Sequence, residues 1–305
     1  MSKTMQYIYR QLTANTVATP SIQPQRLPIA RPDDKVHVHY SVAAYQTNDE
    51  ESLKEILLDG WELVKNNKIS NPYQVKKGYF GVAYVNEQQK HVIIAHRGTE
   101  VGMPVVGKGL RDLMVDLDTA TRHMNVQEPA AWIDFAKNII MDKGPNYTYS
   151  FAGHSLGGWL AQVCLLKYQD EFVKQKGSKY IDGFAVTLDE PGAKEVLEAL
   201  QPVVATTHKI DVEKLDITNY VAHPNIVNTL LTHVGSVYAI FRDLNLTTWQ
   251  KHVTFTLKTH GSEELLQEFD TATGLPKKCI QVLDWPKVVL GEKLASTDAP
   301  CSCPH

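Results

Sequence analysis

Residues 151–162, FAGHSLGGWLAQ, carry the pattern that decides the fold. They overlap a short run of β-forming residues at 147–153, YTYSFAG, and lead into residues 155–172, SLGGWLAQVCLLKYQDEF, whose apolar side chains make one broad helical face. The sequence therefore predicts a strand, a tight turn at Ser155 and a helix in direct succession. A catalytic serine and a purely structural serine would both need this backbone.

The rest of the chain alternates between strand and helix patterns. Two runs of strand character at 78–86 and 91–98, separated by the polar EQQK, predict a hairpin. Patterns of a helix and a strand then alternate at 130–142, 147–153, 155–172, 181–192, 194–200 and 215–224. This order predicts an α/β fold with a mostly parallel central sheet flanked by helices. Helical spacing also runs from Leu53 to Trp61, with a break expected at Gly60.

The composition fits a globular chain and gives no general reason to expect a nucleic-acid partner. The chain has 305 residues, of which 43% are hydrophobic and 21% charged, so it can bury a substantial core. Its 31 basic and 34 acidic residues give a net charge of −3, which offers no general electrostatic basis for binding nucleic acid. The sequence shows neither a secretory leader nor a run of about 18 apolar residues. We therefore expect a cytoplasmic protein, with export through another kind of signal left open.

We divide the sequence into three parts. Residues 1–39 are expected to form an extended lead-in, 40–285 the folded domain, and 286–305 a C-terminal tail. The four cysteines are too few for a disulfide framework, so we expect thiols. The terminal CSCPH joins two cysteines and one histidine, which is a weak metal-binding pattern. We expect no metal site.

Residues 153–157, GHSLG, match the G-x-S-x-G turn on which α/β hydrolases carry their nucleophile. Glycines two places before and after the serine let the chain reverse and let the helix pack closely on the strand. The start of that helix presents free N–H groups and a partial positive charge to an oxyanion. Ser155 is then the predicted nucleophile and the Leu156 N–H a predicted oxyanion donor; the alternative is a structural turn.

Two further motifs extend this pattern. The strand at 91–98 leads into AHRGTE at 95–100, and LRDLMVDLDTA follows at 110–120. Together with GHSLGGWLAQ they resemble the class 3 lipases, the fungal-type branch of the α/β hydrolases, over about residues 40–269. The resemblance implies an α/β-hydrolase fold and ester cleavage by a Ser-His-acid triad through an acyl-enzyme.

The resemblance also assigns residues around the turn. Thr99, after the Arg-Gly pair, corresponds to an oxyanion-hole residue that donates through its N–H and hydroxyl; the alternative is a hydroxyl that caps the strand end. His96 replaces a phenylalanine of the family, and we expect it to be buried with its hydrogen bonds made. Arg97 is expected to brace the local structure. Residues 101–110, VGMPVVGKGL, are the candidate lid.

Histidine is the usual base for a serine nucleophile because its pKa lies near neutrality. The family carries this histidine late in the chain near a helix start, and His260 matches that place in LKTHGSEELLQEFD, residues 257–270. His233 resembles a different family histidine, which precedes a strand and is not catalytic. His260 is therefore the predicted base.

The acid is the point at which the sequence departs from the family. Asn225 occupies the position of the family's aspartate. An asparagine can hold an imidazole, but the same exchange in a serine protease costs about 10⁴-fold in turnover. Asp189 follows the strand after the nucleophile helix, a place from which some hydrolases of this fold draw their acid. We predict Asp189 as the acid; the alternatives are Asn225, and a DEPG segment at 189–192 that is only a turn.

These residues predict a serine hydrolase of carboxylic esters, with lipid esters as expected substrates and transient contact with a lipid interface. No cofactor is expected. The choice among lipase, phospholipase and esterase depends on the pocket and the lid, which the sequence does not reveal. The competing prediction is a hydrolase fold with weak or no catalysis that serves as a binding module, motivated by Asn225 and His96.

Overall fold

The computed structural model describes residues 32–46, 49–66, 69–74, 78–98, 127–174, 180–204, 210–222, 227–228, 231–240, 265–277 and 279–282. Several predicted features lie outside these ranges. They are Thr99, the candidate lid at 101–110, Asn225, His260, and residues 286–305 of the expected tail.

The centre of the molecule is a β-sheet with nine strands in the part of the chain that the structure describes. They are β1 (Glu62–Leu63), β2 (Tyr73–Gln74), β3 (Phe80–Asn86), β4 (His91–Arg97), β5 (Thr148–His154), β6 (Phe184–Leu188), β7 (Ile217–Val221), β8 (Ser236–Ile240) and β9 (Cys279–Val282). Strands β4 to β8 lie side by side in chain order and run parallel. Antiparallel pairs close both edges, including the predicted hairpin of β3 and β4. The predicted, mostly parallel sheet is therefore confirmed.

Helices cover both faces of this sheet. They are α1 (Asp34–Gln46), α2 (Glu50–Glu55), α3 (Lys137–Lys143), α4 (Leu156–Tyr168) and α5 (Lys194–Val204), with π-helical turns at Ala130–Ala136 before α3 and Gln169–Lys174 after α4. Along β4, Val92 and Ile94 pack in the cluster that contains α4, whereas Ile93 and Ala95 pack in the cluster that contains α1. Because successive side chains of a strand point to opposite faces, α1 and α4 lie on opposite sides of the sheet. This arrangement is an α/β-hydrolase fold.

Two boundaries differ from the expectation. α1 begins at Asp34, so it crosses residue 39, where the lead-in was expected to end. The helix expected to continue to Trp61 stops at Glu55. The chain turns at Gly60, whose φ of 77° is the left-handed region that favours glycine. The predicted break at Gly60 is therefore confirmed. The predicted helix is too long, because the observed helix ends at Glu55 and Trp61 lies just before β1.

The predicted succession of strand, serine turn and helix is confirmed. Ser155 alone joins β5 to α4, with φ of 56° and ψ of −130°. A side chain at Gly157 would collide with the carbonyl oxygen of His96, and one at Gly153 would collide with the backbone of Gly157. Both glycines of the motif are therefore needed for the helix to approach β4 and β5 this closely.

Two cysteines lie within the described ranges. Cys164 on α4 is a buried free thiol, as expected. Cys279 on β9 is disulfide-bonded, so the expectation of a thiol is wrong for this residue. A cysteine count does not reveal which residues the fold brings together, which is why the sequence misses this bond.

Among the described helices, none has both the length and the apolar character that a membrane crossing requires.

Candidate active site

Ser155 is the only residue between β5 and α4, and it is partly buried. Its N–H donates to the Leu188 carbonyl at the end of β6 (2.9 Å), and its own carbonyl accepts from the N–H of Gly158 (3.0 Å). A positive φ at a non-glycine residue costs energy and persists only where the surroundings hold it, as they commonly do at active sites. The turn lies at the carboxyl ends of the parallel strands, which is the edge where α/β proteins bind ligands.

The end of β4 lies directly against the first turn of α4. A β-carbon added to Gly98 would stand 3.1 Å from the backbone nitrogen of Leu156 and 3.0 Å from that of Gly157. The first N–H groups of a helix have no acceptor within the helix. The Leu156 N–H is a group of this type, so it can donate to an oxyanion. Thr99 follows Gly98 but lies outside the described residues, so its role stays a prediction.

Tyr45 connects the end of β4 to the end of β5, just before Ser155, with a single hydroxyl. It donates to the carbonyl of His154 (2.9 Å) and accepts from the N–H of Gly98 (2.9 Å). Its ring also meets the His154 ring edge-on, with centroids 5.3 Å apart. Sequence reasoning missed this residue, because nothing in its local pattern distinguishes Tyr45 from a core tyrosine of the same helix.

Asp189 lies one residue beyond β6. Strand β6 pairs with β5, the strand that precedes Ser155. The φ of Asp189 is 49°, and its side chain is fully buried. The carboxylate oxygen Oδ1 accepts from the backbone N–H of Ala222 (3.0 Å) and from the side-chain amide of Asn228 (2.6 Å). The backbone N–H of Asp189 also donates to the Tyr220 carbonyl (2.7 Å). The DEPG segment is thus a turn that also holds a buried, oriented carboxylate at the same edge of the sheet as Ser155.

Glu190 and His233 form a fully buried ion pair beside Asp189. Nδ1 of His233 lies 2.5 Å from a Glu190 oxygen, and Nε2 donates to the carbonyl of Asn228 (2.8 Å). Because both ring nitrogens face oxygen acceptors, the imidazolium is the form that satisfies both. Burial alone would lower the pKa of His233, but the charge and hydrogen bond of Glu190, with Asn228 and Asp189, raise it above its ordinary value. Nε2 is hydrogen-bonded, whereas Nδ1 meets Glu190 as a charge pair without hydrogen-bond geometry, and the non-catalytic role of His233 stays a prediction.

His96 and Arg97 at the end of β4 are core residues. Nδ1 of His96 is hydrogen-bonded with the Tyr79 hydroxyl (2.9 Å), and burial lowers the pKa of His96 to about 3, so its ring is neutral. Within the described residues Nε2 has no partner, so the expectation of a buried histidine is met but that of a satisfied one is not. The Arg97 guanidinium stacks over the Phe80 ring at 4.5 Å, which fits its expected bracing role.

A second serine also contacts histidines. Ser150 Oγ lies 2.8 Å from Nε2 of both His37 and His91. His37 Nδ1 must donate to the Asp33 carbonyl (3.1 Å), so in the neutral ring Nε2 accepts the Ser150 hydroxyl proton. His91 Nε2 then donates to Ser150, and its Nδ1 lies 2.5 Å from the Thr148 hydroxyl oxygen. The Ser150 hydroxyl is engaged by both histidines and Ser150 is fully buried, so Ser150 is a structural serine rather than a second candidate nucleophile.

The fold therefore brings four of the discussed groups to one edge of the sheet: Ser155, the Leu156 N–H, the end of β4 and the Asp189 carboxylate. Three further residues contact these groups or lie beside them, namely Tyr45, Asn228 and Glu190. The sequence did not assign them to the site. His260 and Asn225 lie outside the described ranges.

The sequence matches no family model. A curated protein of Rickettsia prowazekii, the uncharacterized protein RP165, is 27% identical over 177 residues, which cover 55% of this chain and 44% of that protein. The chain thus spans less than half the length of this relative.

Three solved structures are similar to this chain at low identity. The Rhizomucor miehei lipase–propeptide complex has a TM-score of 0.44 at 14% identity, over 68% of this chain and 67% of the other. The lipase of Rhizopus microsporus var. chinensis has 0.45 at 13%, over 86% and 98%. The Lip2 lipase of Yarrowia lipolytica has 0.42 at 15%, over 68% and 77%.

Proposed function

We propose that this chain is a serine hydrolase that cleaves carboxylic esters with Ser155 as nucleophile. The observation that carries the proposal is the positive-φ turn of Ser155 at the carboxyl edge of the parallel strands, with a buried carboxylate on the neighbouring strand end. Ser155 attacks the acyl carbon, and His260 accepts the hydroxyl proton and passes it to the leaving alkoxide. Water then attacks the acyl-enzyme, with His260 again as base, and releases the acid.

The negative charge of the tetrahedral intermediate is held by N–H groups at the start of α4 and the end of β4. The Leu156 N–H is one donor and Thr99 the other in this proposal. Such donors are oriented before the reaction begins, so they stabilise developing charge without reorganisation, and the helix N-terminus adds its partial positive charge. The contact of Gly98 with the Leu156 nitrogen supports a shared site for both donors.

Asp189 is the acid of the proposed triad. Two hydrogen bonds to one carboxylate oxygen favour the ionised form and fix its orientation, which is what a residue that orients an imidazole requires. Asn225, at the family's usual acid position, cannot supply a negative charge to the imidazolium. We therefore assign the charge to Asp189 and keep Asn225 as the competing residue for the test below.

Lipid esters are the proposed substrates, with 101–110 as a lid and transient contact with a lipid interface. This part of the proposal rests on the resemblance to class 3 lipases. The alternative of a non-catalytic binding module was motivated by His96 and Asn225. His96 is a neutral core residue bonded with Tyr79, which leaves Asn225 as the remaining motive for that alternative.

The first test is hydrolysis of p-nitrophenyl esters from acetate to palmitate, with and without detergent. We expect Ser155→Ala to lower kcat by at least about 10³-fold, since removal of a serine nucleophile leaves only residual catalysis. Ser150→Ala is the matched control: it removes a buried hydroxyl on β5, the strand that precedes Ser155, and should retain turnover. A wild-type chain inactive on every ester, or a Ser155→Ala variant as active as wild type, would contradict the proposal. A rate that rises sharply when the ester forms micelles would identify an interfacial lipase.

The second test identifies the acid. We expect Asp189→Asn to lower kcat by about 10⁴-fold with little change in KM, because the imidazolium loses its counter-charge. Asn225→Ala should change kcat by only a few fold. The reverse order of effects would move the acid position to Asn225.

The third test concerns the hydroxyl of Tyr45. Tyr45→Phe keeps the ring on His154 but leaves the Gly98 N–H and His154 carbonyl without this partner, so the end of β4 loses its direct bridge to the end of β5 beside Ser155. We expect kcat to fall about 10-fold at nearly constant KM. Tyr40→Phe is the control, since within the described ranges its hydroxyl accepts one bond, from the Leu58 N–H at 3.3 Å. Equal kcat for wild type and Tyr45→Phe would rule out a role for the bridge.

A further inference from the structure

Asn228 makes two hydrogen bonds that link the acid to the loop between β7 and β8. Its side-chain amide donates to Asp189 Oδ1 (2.6 Å), and its carbonyl accepts from Nε2 of His233 (2.8 Å). Asn228 is fully buried, so no solvent competes for these bonds. The orientation of its amide toward Asp189 therefore depends on where His233 holds its backbone.

His233 is itself held by Glu190, whose position is tightly constrained. One Glu190 oxygen pairs with His233 and the other accepts from the Gly192 N–H (2.5 Å). The Glu190 β-carbon lies against α4, where a side chain at Gly158 would come within 2.7 Å of it. Glu190 therefore connects the end of β6, the nucleophile helix and the loop that carries His233.

The residue before His233 is anchored as well. The Thr232 carbonyl accepts from the N–H groups of Ala193 and Lys194 (both 3.0 Å), and its hydroxyl donates to Glu195 (2.6 Å). The loop is thus attached to the start of α5 on one side and to Glu190 on the other. These bonds fix Thr232 and His233, and His233 in turn bonds the Asn228 carbonyl.

The charges of Glu190 and His233 also affect Asp189. Asp189 and Glu190 are adjacent in the sequence and both are fully buried, and a buried charge is costly unless a counter-charge lies beside it. The imidazolium of His233 neutralises Glu190. The charge of Asp189 then remains for the imidazolium that forms at His260 during the reaction.

We propose that Asn228, His233 and Glu190 are positioning residues for Asp189. They hold its carboxylate in one orientation and compensate the neighbouring buried charge. The inference rests on the proposed function, with Asp189 as the acid. In this proposal the three residues act through Asp189, so their removal misplaces the triad histidine, and small misplacements cost about 10²-fold in rate.

The test measures kcat and KM for ester hydrolysis by the full chain with Asn228→Ala, alone and combined with Asp189→Asn. Alone, Asn228→Ala should lower kcat by about 10- to 100-fold at nearly constant KM. In the Asp189→Asn background it should have almost no further effect, because the charge that it positions is already gone. Asn71→Ala is the matched control: this buried asparagine bonds the Val64 and Ala83 carbonyls, so its loss should lower stability but leave kcat unchanged.

The charge effect is tested by a pair of variants. His233→Gln leaves Glu190 buried without its counter-charge beside Asp189 and should lower kcat about 10-fold or more. Adding Glu190→Gln removes the uncompensated charge and should recover part of that loss. A purely structural role for the pair would instead make the double variant at least as impaired as His233→Gln.

The outcomes separate this inference from the proposed function. Unchanged kcat for Asn228→Ala, or equal effects in both backgrounds, would overturn the positioning role and leave a serine hydrolase standing. Unchanged kcat for Asp189→Asn, with Ser155→Ala inactive, would overturn the inference together with the acid assignment. If Asn228→Ala does not fold, Asn228→Ser replaces it, because it keeps a shorter donor and should show the same non-additivity with a smaller loss.

Discussion

The close approach of the first turn of α4 to the end of β4 is the constraint on which the site depends. A β-carbon added to Gly157 would collide with the His96 carbonyl oxygen, and one added to Gly98 would lie 2.7 Å from the Tyr45 hydroxyl and 3.1 Å from the Leu156 nitrogen, so a side chain at either position would force its neighbours to move. That contact holds the positive φ of Ser155 and brings the start of α4 beside the end of β4. From the opposite layer, Tyr45 then joins the end of β4 to the end of β5, the residue before Ser155. The proposed oxyanion site therefore depends on backbone packing more than on any one side chain.

The acid side of the edge is built differently, from buried polar groups. The side chains of Asp189, Glu190, Asn228 and His233 are buried, and hydrogen bonds and one ion pair connect them to one another and to the adjacent backbone. Buried charges are tolerated only when paired and hydrogen-bonded, because removal from water is expensive. A carboxyl group kept in such surroundings has a fixed orientation, which suits a residue that must orient an imidazole. The two sides of the site therefore reach preorganisation by different physical means.

Features encoded by local pattern were predictable, and contacts between distant residues were not. The strand, serine turn and helix at 151–162 follow from propensity, glycine spacing and apolar periodicity, and the hairpin of β3 and β4 from two strand runs around a polar turn. The helix at Glu50–Glu55 was expected to be longer, because periodicity extends past the point where the chain turns away at Gly60. The Tyr45 bridge spans 109 residues to His154, and Asn228 reaches Asp189 across 39, so no local signal reveals either. Asp189 was predicted as the acid only because Asn225 left that position without a charge.

The central claim is that Ser155 is an activated nucleophile in the folded chain. The most direct measurement is reaction of the native protein with a fluorophosphonate, followed by mass spectrometry of the peptide that carries the adduct, with heat-denatured protein as the control. The account predicts one adduct per chain, on Ser155 and not on Ser150, and no adduct after denaturation. Native protein that stays unlabelled at Ser155 while remaining folded would contradict it, and the strained turn would then be a structural feature of a hydrolase fold without hydrolysis.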